Sequence, residues 1–302
     1  MQENRPAPIE WPTLALLIAC YGGLALATTW LAALSLPLAF VAATILIAFH
    51  SSLQHEALHG HPTRNPLVNE ALVFLPVGLL IPYRRFRDLH IAHHRDEILT
   101  DPYDDPESNY LDPAVWARLP GWLRVLYRAN NTLAGRILLG PGLSMVALVR
   151  GDLRLIREGA PGVAKGWALH GIGLVPMLWW LAGPSAMPVW LYLIAAYLGF
   201  GLLKIRTYLE HRAVEDPKRR TVIVERNGPL AFLFLNNSLH AVHHAHPGLP
   251  WYALRKKYLA EREIYLAANG GYAYRSYAEI FRRHLLRAKD PVPHPLMKGA
   301  GQ

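Results

Sequence analysis

The sequence predicts an all-α integral membrane protein, with four transmembrane helices in two hairpins and a cytoplasmic helical cap. Three observations predict it: two long charge-free blocks, the confinement of basic residues to the segments between them, and clustering among the 15 histidines. No Asp, Glu, Lys or Arg occurs from Trp11 to His55, nor from Gly166 to Leu203. One bilayer-spanning helix needs ~20 apolar residues, so each block is long enough for two. The first pair is expected at about 12–34 and 36–58, broken at Pro37. The second is expected at about 165–181 and 187–208, broken around Gly183, Pro184 and Pro188.

The turns inside each pair carry no basic residue, and nearly all 31 Lys and Arg lie between or after the pairs. Cytoplasmic loops hold the excess of Lys and Arg, so both termini are expected in the cytoplasm. The leading MQENRPAPIE shows no evident cleavage site and reads as the approach to an anchored first span, not as a removed signal. A soluble helical core is disfavoured, since charge-free runs of this length leave a helix no polar face for water.

Residues of about 60–164 and 212–302 are expected to pack together as the cap, the whole of 1–302 forming one domain. Leu67 to Ile81 is apolar but short and interrupted by Pro76 and Gly78, which suits a helix lying at the interface. Leu230 to Leu239 is similarly short and suits a segment dipping back toward the membrane. The net charge of +9 resides largely in loops that flank spans, where anionic headgroups account for it. No nucleic-acid motif accompanies it. The single cysteine, Cys20, lies within the first span, which excludes a disulfide framework, a thiolate zinc site and an internal iron–sulfur centre.

The histidines carry the chemistry. His55 and His59 stand at i and i+4, and His90, His93, His94 and His240, His243, His244 share the spacing i, i+3, i+4. Residues so spaced on a helix share a face, so each cluster can direct two or three rings at a metal. All three clusters fall on the cytoplasmic side of the charge-derived topology. Neutral imidazole suits iron, zinc, copper and nickel alike, and eight ligands exceed what one ion takes, which points to a dimetal site in the cap. His50 lies five residues from His55, roughly 140° off the shared face. It is read as supporting the ligands or as structural, not as ligating, as are His61 and His246, while His170, His284 and His294 lack ligand-spaced partners.

The strings His-Glu-Ala-Leu-His at 55–59, His-Ile-Ala-His-His at 90–94 and His-Ala-Val-His-His at 240–244 resemble the three histidine boxes of the membrane fatty acid desaturase and hydroxylase superfamily. The resemblance covers nearly the whole chain. It implies a four-span bundle with a cytoplasmic cap and two non-haem iron ions, with His55, His59, His90, His93, His94, His240, His243 and His244 as ligands. His211, in Tyr-Leu-Glu-His-Arg, occupies the place of a ninth ligand at the end of the fourth span. The first box has three intervening residues where many acyl-CoA desaturases have four, which separates the chain from that branch.

Metal-bound imidazoles usually donate their other N–H to a carboxylate or carbonyl. Glu56, Asp88, Asp96, Asp101, Asp105, Glu107, Glu210, Asn236 and Asn237 lie near the boxes, and Glu210 and Asn237 are the first expected to serve. The implied activity is O2-dependent desaturation of a fatty acyl lipid in a bacterial inner membrane. Hydroxylation or ketolation of an acyl chain or carotenoid is the alternative, and a membrane metal transporter or sensor is the reading from another class. His-Gly-His-Pro-Thr-Arg-Asn, Asp-Pro-Tyr-Asp-Asp-Pro-Glu and Leu-Asn-Asn-Ser-Leu beside the boxes resemble bacterial desaturases and favour the first. An apolar channel between spans is expected, with Phe49, Trp179, Trp180 and Tyr197 as possible lining. No flavin, haem or cysteine motif supplies electrons, so an external donor such as ferredoxin is implied. Arg84, Arg85, Arg87, Arg255, Lys256 and Lys257 offer it a basic surface, or equally meet anionic headgroups.

Overall fold

Among the described residues three helices are long and apolar enough to cross a membrane: Trp11–Leu34, Leu36–Leu58 and Val189–Thr207. They belong to a computed structural model that describes residues 9–297. The leading MQENRPAP and the side chain of Asp96 lie outside the described residues. The fourth expected span is a helix, Val163–Ala182, with Lys165 in its first turn and His170 and Pro176 inside it. It is not among the three helices that length and composition single out as spans. The chain is mainly helical and divides into two compact units, Met1–Arg87 with Gly142–Leu202, and Asp88–Pro141 with Leu203–Gln302.

In the first unit the break between the first two spans falls at Ser35, which is extended, rather than at Pro37. Pro37 instead occupies the first turn of the second span, where a missing N–H leaves no hydrogen bond unmade. The two helices approach through small residues: Ala39, Ala43 and Ala48 are fully buried, and a Cβ on Gly23 would lie 3.3 Å from Leu46. In lipid, association of helices depends on such close packing rather than on the hydrophobic effect. Residues 27–31 of the first span form a π-helical turn. The carbonyl it frees, that of Thr28, accepts from the backbone N–H groups of Ala186 at 2.8 Å and Met187 at 3.1 Å.

The segment 67–81 departs from the expected interfacial helix. Only Pro66–Leu72 is helical, started by the Asn65 side chain accepting from the N–H groups of Leu67 and Val68. Residues 73–82 are irregular, with Val73 and Val77 fully buried and Leu79 at a φ of 59°. Non-helical backbone among spanning helices is tolerable only where its polar groups find partners. Four side chains of the helical segments provide them. Tyr21 donates to the Leu72 carbonyl at 3.0 Å, Gln54 to Val73 at 3.3 Å and Tyr192 to Val77 at 2.8 Å, while His170 Nε2 meets Leu79 O at 3.0 Å. Pro76 and Gly78 thus mark a loop folded against the helices, whose core also contains Ile47, Met177, Leu181, Ala195 and Ala196.

In the second unit short helices surround a two-residue parallel pairing, Ile223–Val224 with Ala273–Tyr274. Leu239, Val242, Leu254, Tyr258 and Tyr265 pack on it as a separate core. The expected re-entrant segment 230–239 is a helix, Pro229–Leu233, followed by a turn in which Leu235 and Asn236 have φ of 47° and 59°.

The close approach of the second and fourth apolar segments is testable. A Cβ on Gly199 would meet Ile47 Cγ2 at 2.8 Å and the Thr44 carbonyl at 3.1 Å, whereas one on Gly22 meets nothing within 4 Å. Gly199→Val is expected to destabilise by about 1–3 kcal/mol through overpacking. Gly22→Ala should leave the thermal midpoint in detergent unchanged, and equal midpoints for both variants would contradict the packing.

Candidate metal centre

Seven of the box and neighbouring histidines lie in the second unit, on three pieces of chain. His90, His93 and His94 end the helix Tyr83–His93. His240, His243 and His244 lie on the six-residue helix His240–Ala245. That helix is fixed by the strained turn before it, by Ala241 N–H donating to Val222 O at 3.1 Å, and by burial of Val242. His211 follows the last apolar helix and is held by a bridge to Thr221. The Lys289 ammonium donates to the His211 carbonyl at 2.7 Å.

The ring nitrogens of His93, His211, His240 and His244 lie within 4.8 Å of one another, and those of His90, His94 and His243 form a second such group. In the first, His211 Nε2 is 2.9 Å from His93 Nε2 and 3.1 Å from His240 Nε2. In the second, His94 Nε2 is 3.0 Å from His90 Nε2 and 3.1 Å from His243 Nε2. Two nitrogens each about 2.1 Å from one ion, at right angles, stand ~3 Å apart, so these separations fit a shared metal.

The opposite nitrogens explain the tautomers. His93 Nδ1 is 2.7 Å from Asp105 Oδ1, His90 Nδ1 is 2.9 Å from Glu107 Oε1 and His240 Nδ1 is 2.9 Å from Asn237 Oδ1. Each acceptor requires a proton on Nδ1, which in the neutral ring leaves the lone pair on Nε2 aimed inward. Lone pairs of His93 and His240 therefore converge on His211 Nε2. One ring nitrogen carries at most one proton, so a cation is the group that satisfies all three at once. The residues present fit a metal.

The rings differ in their electrostatics. Burial lowers the His93 pKa, but Glu107, Asp105 and Glu210 outweigh it and hold the ring at about 9. His211 and His240 are driven well below the usual range by burial and neighbouring imidazoles. Burial opposes ionisation of Glu107, yet His93 and His90 hold its carboxyl well below the ordinary value. Glu210 is raised by burial.

Of the two partners expected first, Asn237 faces His240. Glu210 lies 3.6 Å from His240 Nδ1 and pairs with Arg206 at 2.8 Å. The carboxylates nearest the rings are Asp105 and Glu107, both from the Asp-Pro-Tyr-Asp-Asp-Pro-Glu string. Asp105 also accepts from Thr100 N–H at 2.8 Å, which fixes its orientation. Asn236 instead donates to the Trp251 carbonyl, and Asp101 caps the turn at Tyr103 and Asp104. His55 and His59 lie in the first unit, with ring centroids 4.8 Å apart.

The remaining histidines have other partners. His50 meets the Tyr21 hydroxyl at 2.9 Å, His61 meets Glu10 at 2.7 Å and His246 meets the Tyr265 hydroxyl at 2.9 Å. His284 lies 3.1 Å from the Tyr274 hydroxyl and His294 3.3 Å from that of Thr100.

The basic surface expected for a donor is smaller than its sequence suggests. Arg85 is buried and grips Asp152 with two hydrogen bonds of 2.8 Å. Arg84 and Arg87 pair with Glu70, and Lys257 with Glu261. Lys256 is exposed.

His93→Ala and His240→Ala should each lower the metal retained on purification, measured by inductively coupled plasma mass spectrometry, with His284→Ala unchanged. Asp105→Asn should weaken metal affinity by about 10–100-fold. Because a ring with a pKa of about 9 must lose its proton to bind metal, affinity of the metal-free protein should rise up to about tenfold per pH unit from pH 7 to 9. A flat profile would contradict the protonated state of His93.

Comparison with known proteins was consistent with these features. The profile of the fatty acid desaturase family matches residues 8–277. The chain is similar to an sn-1 oleoyl-lipid 12-desaturase of Picosynechococcus sp., 25% identical over 279 residues that cover 83% of this chain and 75% of the relative. With histidine groups built for a metal and a family match across most of its length, the chain belongs to the fatty acid desaturase family.

Proposed function

We propose that this protein inserts a double bond into an acyl chain of a membrane lipid, using O2 at a non-haem di-iron centre. The observation that carries the reading is the convergence of inward-facing imidazole nitrogens in two groups, within a family named for desaturation. His93, His211, His240 and His244 would hold one iron, and His90, His94 and His243 the other, with His55 and His59 completing the set as the resemblance implies. When bound, the iron pair supplies the activation of O2 that lets an unactivated C–H bond be broken.

The chain's own residues do the rest. Asp105, Glu107 and Asn237 hold the Nδ1 protons of His93, His90 and His240 and so leave their Nε2 atoms as the ones that would face a metal. Binding of the substrate's hydrocarbon falls to the apolar part. A cavity of ≈ 620 Å³ lies in the first unit, lined by Tyr21, Leu24, Phe74, Met177, Trp179 and Trp180 among others. Its size falls in the range of small-ligand sites, roughly 300–1,000 Å³. Of the four side chains expected to line a channel, Trp179 and Trp180 do so, and Phe49 and Tyr197 are not among the lining residues. The name of the cyanobacterial relative specifies a lipid-bound oleoyl chain, and we infer an acyl lipid here too.

The balance of the reaction sets the partners. Two hydrogens leave the acyl chain with their electrons. Two further electrons and two protons from outside complete the reduction of one O2 to two waters. The chain holds no redox motif of its own, so a small carrier such as ferredoxin supplies the electrons. Val163–Ala182 is assigned as the fourth span, with 20 residues and one charged side chain at its end. The spans then sit in a bacterial inner membrane with both termini and the metal site in the cytoplasm, the whole chain acting as one desaturase domain.

The test is the fatty acid profile, by gas chromatography with mass detection, of an aerobic bacterial host expressing the protein or its His243→Ala variant. A new double bond present with the wild type and lost in the variant is expected. A new hydroxyl would establish hydroxylation instead, and unchanged acyl chains with metal bound would overturn the acyl substrate in that host.

A further inference from the structure

The helix Gly140–Arg157, whose residues from Gly142 onward belong to the first unit, reverses the usual order of inside and outside. Its Asp152 is buried, gripped by Arg85 and by the Trp167 indole N–H at 2.8 Å. Its Val146, Val149, Leu153 and Ile156 are exposed. Beside them Arg150, Arg154 and Arg157 are exposed as well, and none forms an ion pair among the described residues.

Successive residues of an α-helix turn by about 100°. The four apolar residues therefore fall within roughly 80° of one another, and the three arginines within roughly 60°, as the adjoining sector. Asp152 lies on the far side of the apolar stripe, roughly opposite the arginines. The helix thus has three longitudinal faces: one against protein, one apolar, one cationic. A helix bounded by water on its free side would not expose four large apolar residues in line. A helix at a membrane interface requires that arrangement, with the apolar sector among acyl chains and the basic sector at the headgroups.

We propose that Gly140–Arg157 lies in the membrane interface, its Val146, Val149, Leu153 and Ile156 in the acyl layer and its Arg150, Arg154 and Arg157 on the phosphates of anionic lipids. Charge complementarity selects this occupant: three unpaired guanidiniums in a row match phosphate oxygens, which they bind in a bidentate manner. The inference does not rest on the desaturation reading, because its test reads lipid contact and not turnover.

The full chain, carrying Cys20→Ala and a single spin label at Val149→Cys or Arg154→Cys, would be reconstituted in nanodiscs of mixed phosphatidylcholine and phosphatidylglycerol. The label at 149 should be more accessible to O2 than to a water-soluble nickel complex, and the label at 154 the reverse. In gently extracted protein, native mass spectrometry should show phosphatidylglycerol enriched over its bulk fraction. The triple variant Arg150→Gln, Arg154→Gln, Arg157→Gln should reduce that enrichment at least about threefold. A label at 149 open to the nickel complex, dipolar broadening between labels that reveals a second copy of the chain on this face, or unchanged enrichment in the triple variant would each overturn the proposal.

Discussion

Everything in the second unit depends on the fact that an imidazole has two nitrogens and that the protein fixes which one carries the proton. Asp105, Glu107 and Asn237 each take an Nδ1–H, and the consequence is a set of lone pairs turned inward. Buried lone pairs that face one another repel unless a cation joins them. The outer contacts of the rings are thus set against the mutual repulsion of their inner nitrogens. That balance accounts for the dense scaffolding behind the rings: the strained turn at Leu235 and Asn236, the bridge from His211 to Thr221 and the return of Lys289 to the His211 carbonyl.

In the first unit the governing constraint is the hydrogen-bonding capacity of backbone in an apolar setting. Two departures from regular helix there are the π-turn at 27–31 and the irregular stretch 73–82. Each is met by specific donors. Thr28 receives the N–H groups of Ala186 and Met187, and the carbonyls of Leu72, Val73, Val77 and Leu79 meet Tyr21, Gln54, Tyr192 and His170. Polar side chains inside apolar segments, which at first sight oppose a membrane reading, are the groups that make these departures possible. The apolar cavity is bounded by the same elements, with Tyr21, Leu72, Val77 and Tyr192 in its wall. The irregular backbone is thus part of what shapes this cavity.

The legible and illegible parts of the sequence separate along physical lines. The helices Trp11–Leu34, Leu36–Leu58 and Val189–Thr207 were readable within a few residues, because exclusion of charge over ~20 positions is a local property of the chain. The histidine spacing was readable for the same reason: i, i+3 and i+4 define a helix face whatever surrounds it. The segment 67–81 is not the interfacial helix its composition suggests, because its fate rests on donors 19 to 115 residues away in sequence. The partners of the ligands were only half legible. Asn237 lies three residues from His240, within reach of local geometry, whereas Asp105 and Glu107 reach His93 and His90 across an intervening loop, 12 and 17 residues on. Arg85, grouped with surface cations by its neighbours, is interior, because Asp152 lies 67 positions on.

By itself, then, the sequence determined that the chain crosses a membrane, that its helices carry imidazoles in metal-binding register, and which family it resembles. These follow from composition and periodicity, which act over one or two turns. Only the tertiary structure decided which ring nitrogen faces which, that two groups of histidines form, and that apolar residues line a cavity. It also decided which cations are buried and which are exposed. Those outcomes depend on contacts between residues distant in the chain, and no local pattern encodes the direction in which a side chain finally points.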